Sequence, residues 1–390
     1  LIQTRATNGN LYAVAPDGTP YIFNQTTVFG TGTTALMAGS NSNYGYNPNS
    51  AFLLSNKQSR AAGYGRATWD FTDSLQGYLE ANYGKTDLPA QRDGYILTNL
   101  IVPRTTLPTA LQSLYTGTNV NLGRINLENG GGDMSWQTTT LWRYVAGLNG
   151  KLGSKWTWTA SYQYSRSHEN FNTTGTVLSA LYESVYNCNG TTTNPNLTAA
   201  LITQLNYYKS STGKTCTPFN PFGVQSEQSA LYWHANQHQD IYLGMDSALA
   251  SISGSPLALW AGDLSVAAGA EWRHTSLNIV GTDLGQNNVF SQGNFGSFGG
   301  SDEVKEVFGE VGLPLLRDVT AAKSLDFNGA VRSTTYRYSG QVTSWKAGLT
   351  FEPISGLRFR AAQSRDIRAP TTNELFFVGG ALPGALTNAI

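Results

Sequence analysis

No stretch of about 18 consecutive apolar residues occurs in this sequence, so no transmembrane helix is predicted. Charge is scarce: Asp, Glu, Lys and Arg make up 13% of the chain, against about 25% in soluble domains. Basic and acidic residues balance at 25 each, which removes the electrostatic case for a nucleic-acid partner. The first residues, LIQTRATNGN, contain no initiating methionine and no apolar signal core. They are expected to lie inside a longer protein or to follow a removed start. What the chain does have is 42 glycines, 20 tyrosines and 9 tryptophans among many Asn, Ser and Thr residues. That composition predicts a large all-β protein of an unusual kind.

The segment SKWTWTASYQYSRSHE, residues 154–169, alternates strictly. Trp156, Trp158, Ala160, Tyr162 and Tyr164 fall on one face, and Thr157, Thr159, Ser161, Gln163 and Ser165 on the other. Similar segments recur as five hairpins, about ten strands, with short turns near residues 72, 153, 254, 319 and 354. Long connections are expected near 1–51, 88–135, 171–230, 278–302 and 369–390. Small residues occupy mid-strand and aromatics mark strand ends, the pattern of girdles at two membrane interfaces. The fold predicted is an antiparallel transmembrane β-barrel, apolar face to lipid and polar face to the lumen. An open sheet cannot sit in lipid, so closure is expected. Both ends of the chain read as extracellular loops, so the ten strands are expected to be part of a larger barrel.

The inward phase collects Arg143, Asp240, Asp246, Glu271, Arg273, Glu306, Glu310, Arg332, Arg358, Arg360 and Arg368. Cys188 and Cys216 share one long loop, where an oxidising cell-surface location favours a disulfide over two free thiols or a metal pair. His234 and His238 share a strand phase, but no third ligand is placed by spacing, and a solvated loop accounts for them; no metal and no cofactor are expected. His168 and Glu169 lie near a rim without an adjacent nucleophile, so an enzyme is not expected. Asn-x-Ser/Thr sequons start at Asn24, Asn172, Asn189 and Asn196, a chance outcome in Thr-rich loops. Loop aromatics Tyr207, Tyr208, Phe290, Phe295 and Phe298 suit either ligand stacking or loop packing.

VKEVFGEVGLPLL, LDFNGAVRSTTYRYSG and WKAGLTFEPISGLRFRAAQSRDIRAPTTNELF follow in order. They resemble the C-terminal half of TonB-dependent outer-membrane receptors. The most specific part is Arg368, Ala369, Pro370 followed by Glu374, Leu375, Phe376. LGRINLENGG and CTPFNPFG are similar to segments of large proteobacterial members. The resemblance covers residues 52 to about 377. It implies a barrel of about 22 strands filled by an N-terminal plug, here absent with the last strands. It also implies active import of a siderophore-bound metal, a vitamin or an oligosaccharide, powered by TonB and its inner-membrane energising complex. A passive porin or a surface adhesin barrel is the alternative. Inward charges would then hold the plug through pairs of about 0–1 kcal/mol each. Arg166, phased outward just above the girdle, is expected to contact lipopolysaccharide.

Overall fold

The computed structural model describes residues 4–14, 19–22, 25–29, 36–39, 57–126, 132–186, 188, 194–291 and 293–377. Four short strands come first, paired two by two: β1 (Tyr12–Val14) with β2 (Pro20–Ile22), and β3 (Gln25–Phe29) with β4 (Leu36–Gly39). The main sheet then builds up hairpin by hairpin. Its strands are β5 (Ser59–Thr72), β6 (Leu75–Pro103), β8 (Gly132–Leu152), β9 (Trp156–Thr176) and β10 (His234–Leu259). β11 (Gly262–Gly281), β12 (Phe298–Val319), β13 (Ala322–Tyr336), β14 (Gly340–Ile354) and β15 (Leu357–Arg365) complete it. All ten pair antiparallel in chain order, and β7 (Asn119–Asn126) adds to the upper part of β6. β5 and β15 are the two edges; among the described residues no pairing joins them. Closure into a cylinder is therefore not seen, and shallow hollows lie on both faces of the sheet.

One end of the sheet carries only tight turns, at residues 73–74, 153–155, 260–261, 320–321 and 355–356. The third turn was expected near residue 254. Instead β10 continues through a bulge between Gly254 and Leu257 and turns at Trp260 and Ala261. The bulge absorbs the Gly-Ser-Pro sequence without ending the ladder.

At the other end the central strands run far past the length that a membrane needs. β9 has 21 residues and β10 has 26, where about 9–11 suffice to cross. The stretch 88–135, expected as loop, is mostly an extension of β6, the partnered β7 and the start of β8. The stretch 171–230 holds three helices, α2 (Leu178–Val185), α3 (Ala199–Thr212) and α4 (Glu227–Trp233). With α1 (Thr109–Gln112) before them and α5 (Asp283–Gln286) after, they enclose the molecule's hydrophobic core. Leu100, Val102 and Leu122 of the β6–β7 extension meet Leu181, Leu205, Tyr208 and Trp233 there. Thr198 caps α3 by accepting from the Leu201 amide, and Gly213 ends it in the left-handed region at φ 66°. Cys188 and Cys216 are joined in this module, with a Cα–Cα distance of 5.8 Å. A buried carboxylate, Glu183, accepts from Lys209 Nζ at 3.0 Å and from the Tyr232 hydroxyl. Tyr208 and Phe290 are core residues of this module, so packing accounts for them.

Candidate functional site

Directly opposed residues of an antiparallel pair share a face, so the register sorts every side chain of the sheet. One face carries Leu79 and Ala81 of β6, Trp142 to Leu148 of β8, and Trp156 to Tyr164 of β9. It continues with Ala248 to Ile252 of β10, Leu264 to Trp272 of β11, and Val307 to Val311 of β12. Val331, Trp345, Leu349 and Phe359 extend it to the far edge. Among the described residues the charges on this phase stand level with the upper aromatics or above them, Lys305 opposite Trp272 and Arg365 opposite Trp345. From Trp156 to Tyr164, eight steps of about 3.3 Å tilted by about 40° give a band roughly 20 Å tall, close to a hydrocarbon layer. Its large side chains, Trp142, Tyr162, Val331 and Leu349 among them, are exposed.

Above the upper aromatics this same face becomes charged. Arg166 donates to both Asp246 oxygens, at 2.9 and 3.2 Å, and lies 3.9 Å from the Tyr164 ring centroid. His274 stands across from Asp246, and Glu303 across from His274. Higher still, Asp240 accepts from His168 and His238. The expectation that Asp240 and Asp246 point inward is therefore corrected: Asp246 is directly opposite Tyr164, on the lipid-side phase. The cause is a switch in hydrophobic phase. On β10 the apolar residues are Ala248, Ala250 and Ile252 below Asp246, but Met245, Leu243 and Ile241 above it. β11 changes over likewise, from Leu264–Trp272 to Leu277 and Ile279, which are buried. Below the switch the outer face meets lipid; above it that face meets water, while loops pack on the inner one.

The opposite face bears Arg143, Glu271, Arg273, Glu306, Glu310, Arg332, Arg358 and Arg360, brought together by register. Most are already paired within the wall. Glu80 receives Arg66 at 2.8 Å and Arg143 at 3.4 Å. Arg273 pairs with Glu271 at 3.1 Å, Arg332 with Glu306 at 2.7 Å, and Arg358 with Glu352 at 3.3 Å. Glu310 and Arg360 have no ion pair among the described residues. The unpaired Glu310 lines a polar hollow with Lys346, Asn328 and Ser265, floored by Gly312 and Ala330. Glu80, Glu352 and Lys346 belong to this wall too. Sequence reading missed them, although their strand phase carried the signal.

Arg368 was assigned to the inward strand phase, but β15 ends at Arg365 and Arg368 belongs to the turn beyond. There the Arg-Ala-Pro and Glu-Leu-Phe residues build one device. Pro370 precedes Thr371, which caps α6 (Thr372–Phe376) by accepting from the Glu374 amide. Glu374 answers by accepting from the Thr371 amide at 2.7 Å, a capping box. It also receives Arg368 at 2.6 Å. The capped helix lies over the inner face of β11 and β12. Thr372 meets Thr275 at 3.3 Å, and the Phe376 ring sits where a side chain on Gly300 would be. Leu375 continues the helix through its amide to the Thr371 carbonyl.

His234 is not a solvated loop residue. It opens β10 against Trp233, ring centroids 3.8 Å apart, and burial pushes its imidazole down to about 4. Among the described residues no cluster of three or more His, Cys, Asp or Glu could hold a metal.

An antiparallel sheet with an uncharged apolar band between aromatic rows, and ion pairs on its other face, is the wall of an outer-membrane barrel. The chain belongs to the TonB dependent receptor-like, beta-barrel family, whose family model matches residues 82–389. Membership places it in the bacterial outer membrane and in transport across it. No curated protein matches the chain. Among solved structures, the translocator domain of the autotransporter NalP from Neisseria meningitidis is 14% identical, with a TM-score of 0.22. The match covers 79% of this chain and 81% of that one.

Proposed function

We propose that this chain is the wall of an active importer that takes up a scarce ligand, a siderophore-bound metal, a vitamin or an oligosaccharide. TonB and its inner-membrane complex supply the energy through a plug held inside the barrel. Membership of the receptor-barrel family is the observation that carries the reading. The self-paired inner wall supports it further. With most carboxylates neutralised in place, a plug held by the remaining groups, Glu310 and Arg360 among them, can shift when pulled. A passive porin or a surface adhesin is the rival. Uptake of a ligand that binds whole cells should stop when TonB is deleted or the proton gradient is collapsed. Uptake that persists in both cases identifies a porin, and binding without uptake an adhesin.

Arg166 belongs to the same reading. It sits just above the outer aromatic row with its side chain partly exposed, where its positive charge and remaining Nε–H are offered to lipopolysaccharide phosphates. Arg166→Ala should lower the lipopolysaccharide retained by the purified protein and leave uptake unchanged. Unchanged lipid content with lost uptake would reverse the assignment.

A further inference from the structure

Above the charged row, four side chains of β9 and β10 close a ring of hydrogen bonds. Asp240 accepts from His238 Nε2 at 2.6 Å and from Asn170 Nδ2 at 3.0 Å. Asn170 Oδ1 accepts from Asn172 Nδ2 at 2.5 Å, and Asn172 Oδ1 lies 2.8 Å from His238 Nδ1. His168 Nε2 adds a further contact to Asp240, at 2.7 Å, and its ring stacks on Tyr242 at 4.5 Å.

Counting protons fixes the direction of every link. An ionised carboxylate only accepts, so Asn170 must turn its nitrogen to Asp240 and its oxygen to Asn172. Asn172 must then turn its nitrogen to Asn170 and its oxygen to His238. Both ring nitrogens of His238 now face acceptors, and an imidazole donates from both only as the imidazolium. Turning both amides over does not remove the conflict. It moves two oxygens into contact between Asn170 and Asp240.

We infer that His238, Asp240, Asn170 and Asn172 form a proton-dependent clasp between β9 and β10 at the base of the helical module. It is closed while His238 carries both ring protons and opens when one is lost. The module begins and ends four residues above His238, where His234 is opposite Thr176 and the Val177 amide donates to the Trp233 carbonyl at 2.8 Å. Among the described residues no neighbouring charge stands in for the proton. On the β8 and β6 side, Asp87 is taken by Thr138 at 2.8 Å and by Lys85 at 3.3 Å, and Thr140 faces His168. On the β11 side, Val280 faces Asp240, and the Thr282 amide donates to the His238 carbonyl. Below, Arg166 is held by Asp246, with His274 beyond.

The test is amide hydrogen exchange of the full-length receptor in lipid, corrected for the intrinsic pH dependence. It compares about pH 5, well below the ordinary histidine value of about 6.5, with about pH 8.5. Exchange within residues 166–173 and 238–245 should rise about tenfold at the higher pH, as expected for loss of one hydrogen bond to a charged group. His238→Gln, with one donor and one acceptor, cannot close the ring in either direction. It should exchange fast at both pH values, whereas His274→Gln should keep the wild-type response. Nitrogen NMR on histidine-labelled protein, assigned by the same variants, should show both His238 nitrogens protonated at the lower pH. Wild-type exchange that ignores pH, a pH response retained by His238→Gln, or a neutral His238 tautomer in the protected state would each overturn the clasp.

Discussion

Glu374 shows how much one exposed carboxylate can organise. The Thr371 amide, then Arg368 and the Thr371 hydroxyl, hold its carboxyl down from the ordinary 4.5 to about 2. A depressed carboxyl contributes stability above its unfolded value and loses it as pH falls toward the folded one. Protection of the α6 amides should therefore be full above about pH 4.5 and fade toward pH 2. Protection that is flat over that range, by exchange at residues 372–376, would remove Glu374 from this role. Thr371→Ala, which deletes the cap itself, should cost about 1 kcal/mol of helix stability. His234 responds to acid through a different mechanism. Burial holds its imidazole down to about 4, so protonation favours the unfolded state. Its contribution is whole above the ordinary 6.5 and is lost as pH drops through that interval, by up to about 3 kcal/mol. Urea unfolding followed by Trp233 fluorescence should show this loss, and His234→Phe should blunt it.

Among the elements, the helical module and the sheet should respond independently. The disulfide closes a loop with a sequence separation of 28, worth about 3–4 kcal/mol by chain entropy. Cys188→Ser with Cys216→Ser should lower the melting of the module and leave strand content unchanged by circular dichroism. Within the sheet, the Trp158 ring lies over Gly150, where an added side chain would meet it at 2.2 Å. Gly150→Val should therefore destabilise the β8–β9 hairpin by about 1–3 kcal/mol, measured as a lower urea midpoint.

The hairpins and their lower faces were legible because a lipid-facing band imposes unbroken alternation, as in Trp156 to Tyr164. Asp240 and Asp246 were misread because one phase was extended along a strand whose two halves face different solvents. The switch from Ala248 and Ala250 to Met245 and Leu243 was present in the sequence as a change of parity. The helical module was not legible as a core: Leu181, Leu205 and Trp233 converge only through long-range packing. Nor could spacing place Arg368 against Glu374, since the partnership depends on where β15 stops.

For the whole molecule, the tight turns and the module define two opposite ends. Single cysteines at Asp73, Gly153, Thr320 and Ser355 should stay unlabelled by an impermeant thiol reagent on intact cells, and one at Thr203 should react. The opposite pattern would invert the topology. In a bilayer the free edges of β5 and β15 must find partner strands, because unpaired backbone groups are not tolerated in hydrocarbon.

The overshoot of the strands has a further effect. From Asp246 to His234, twelve steps of about 3.3 Å at a tilt of about 40° lift the module roughly 30 Å above the outer aromatic row. At physiological ionic strength the Debye length is about 8 Å. The module therefore stands several screening lengths away from the anionic surface of the leaflet. A negatively charged solute that reaches the level of the module therefore meets little of the leaflet's repulsion.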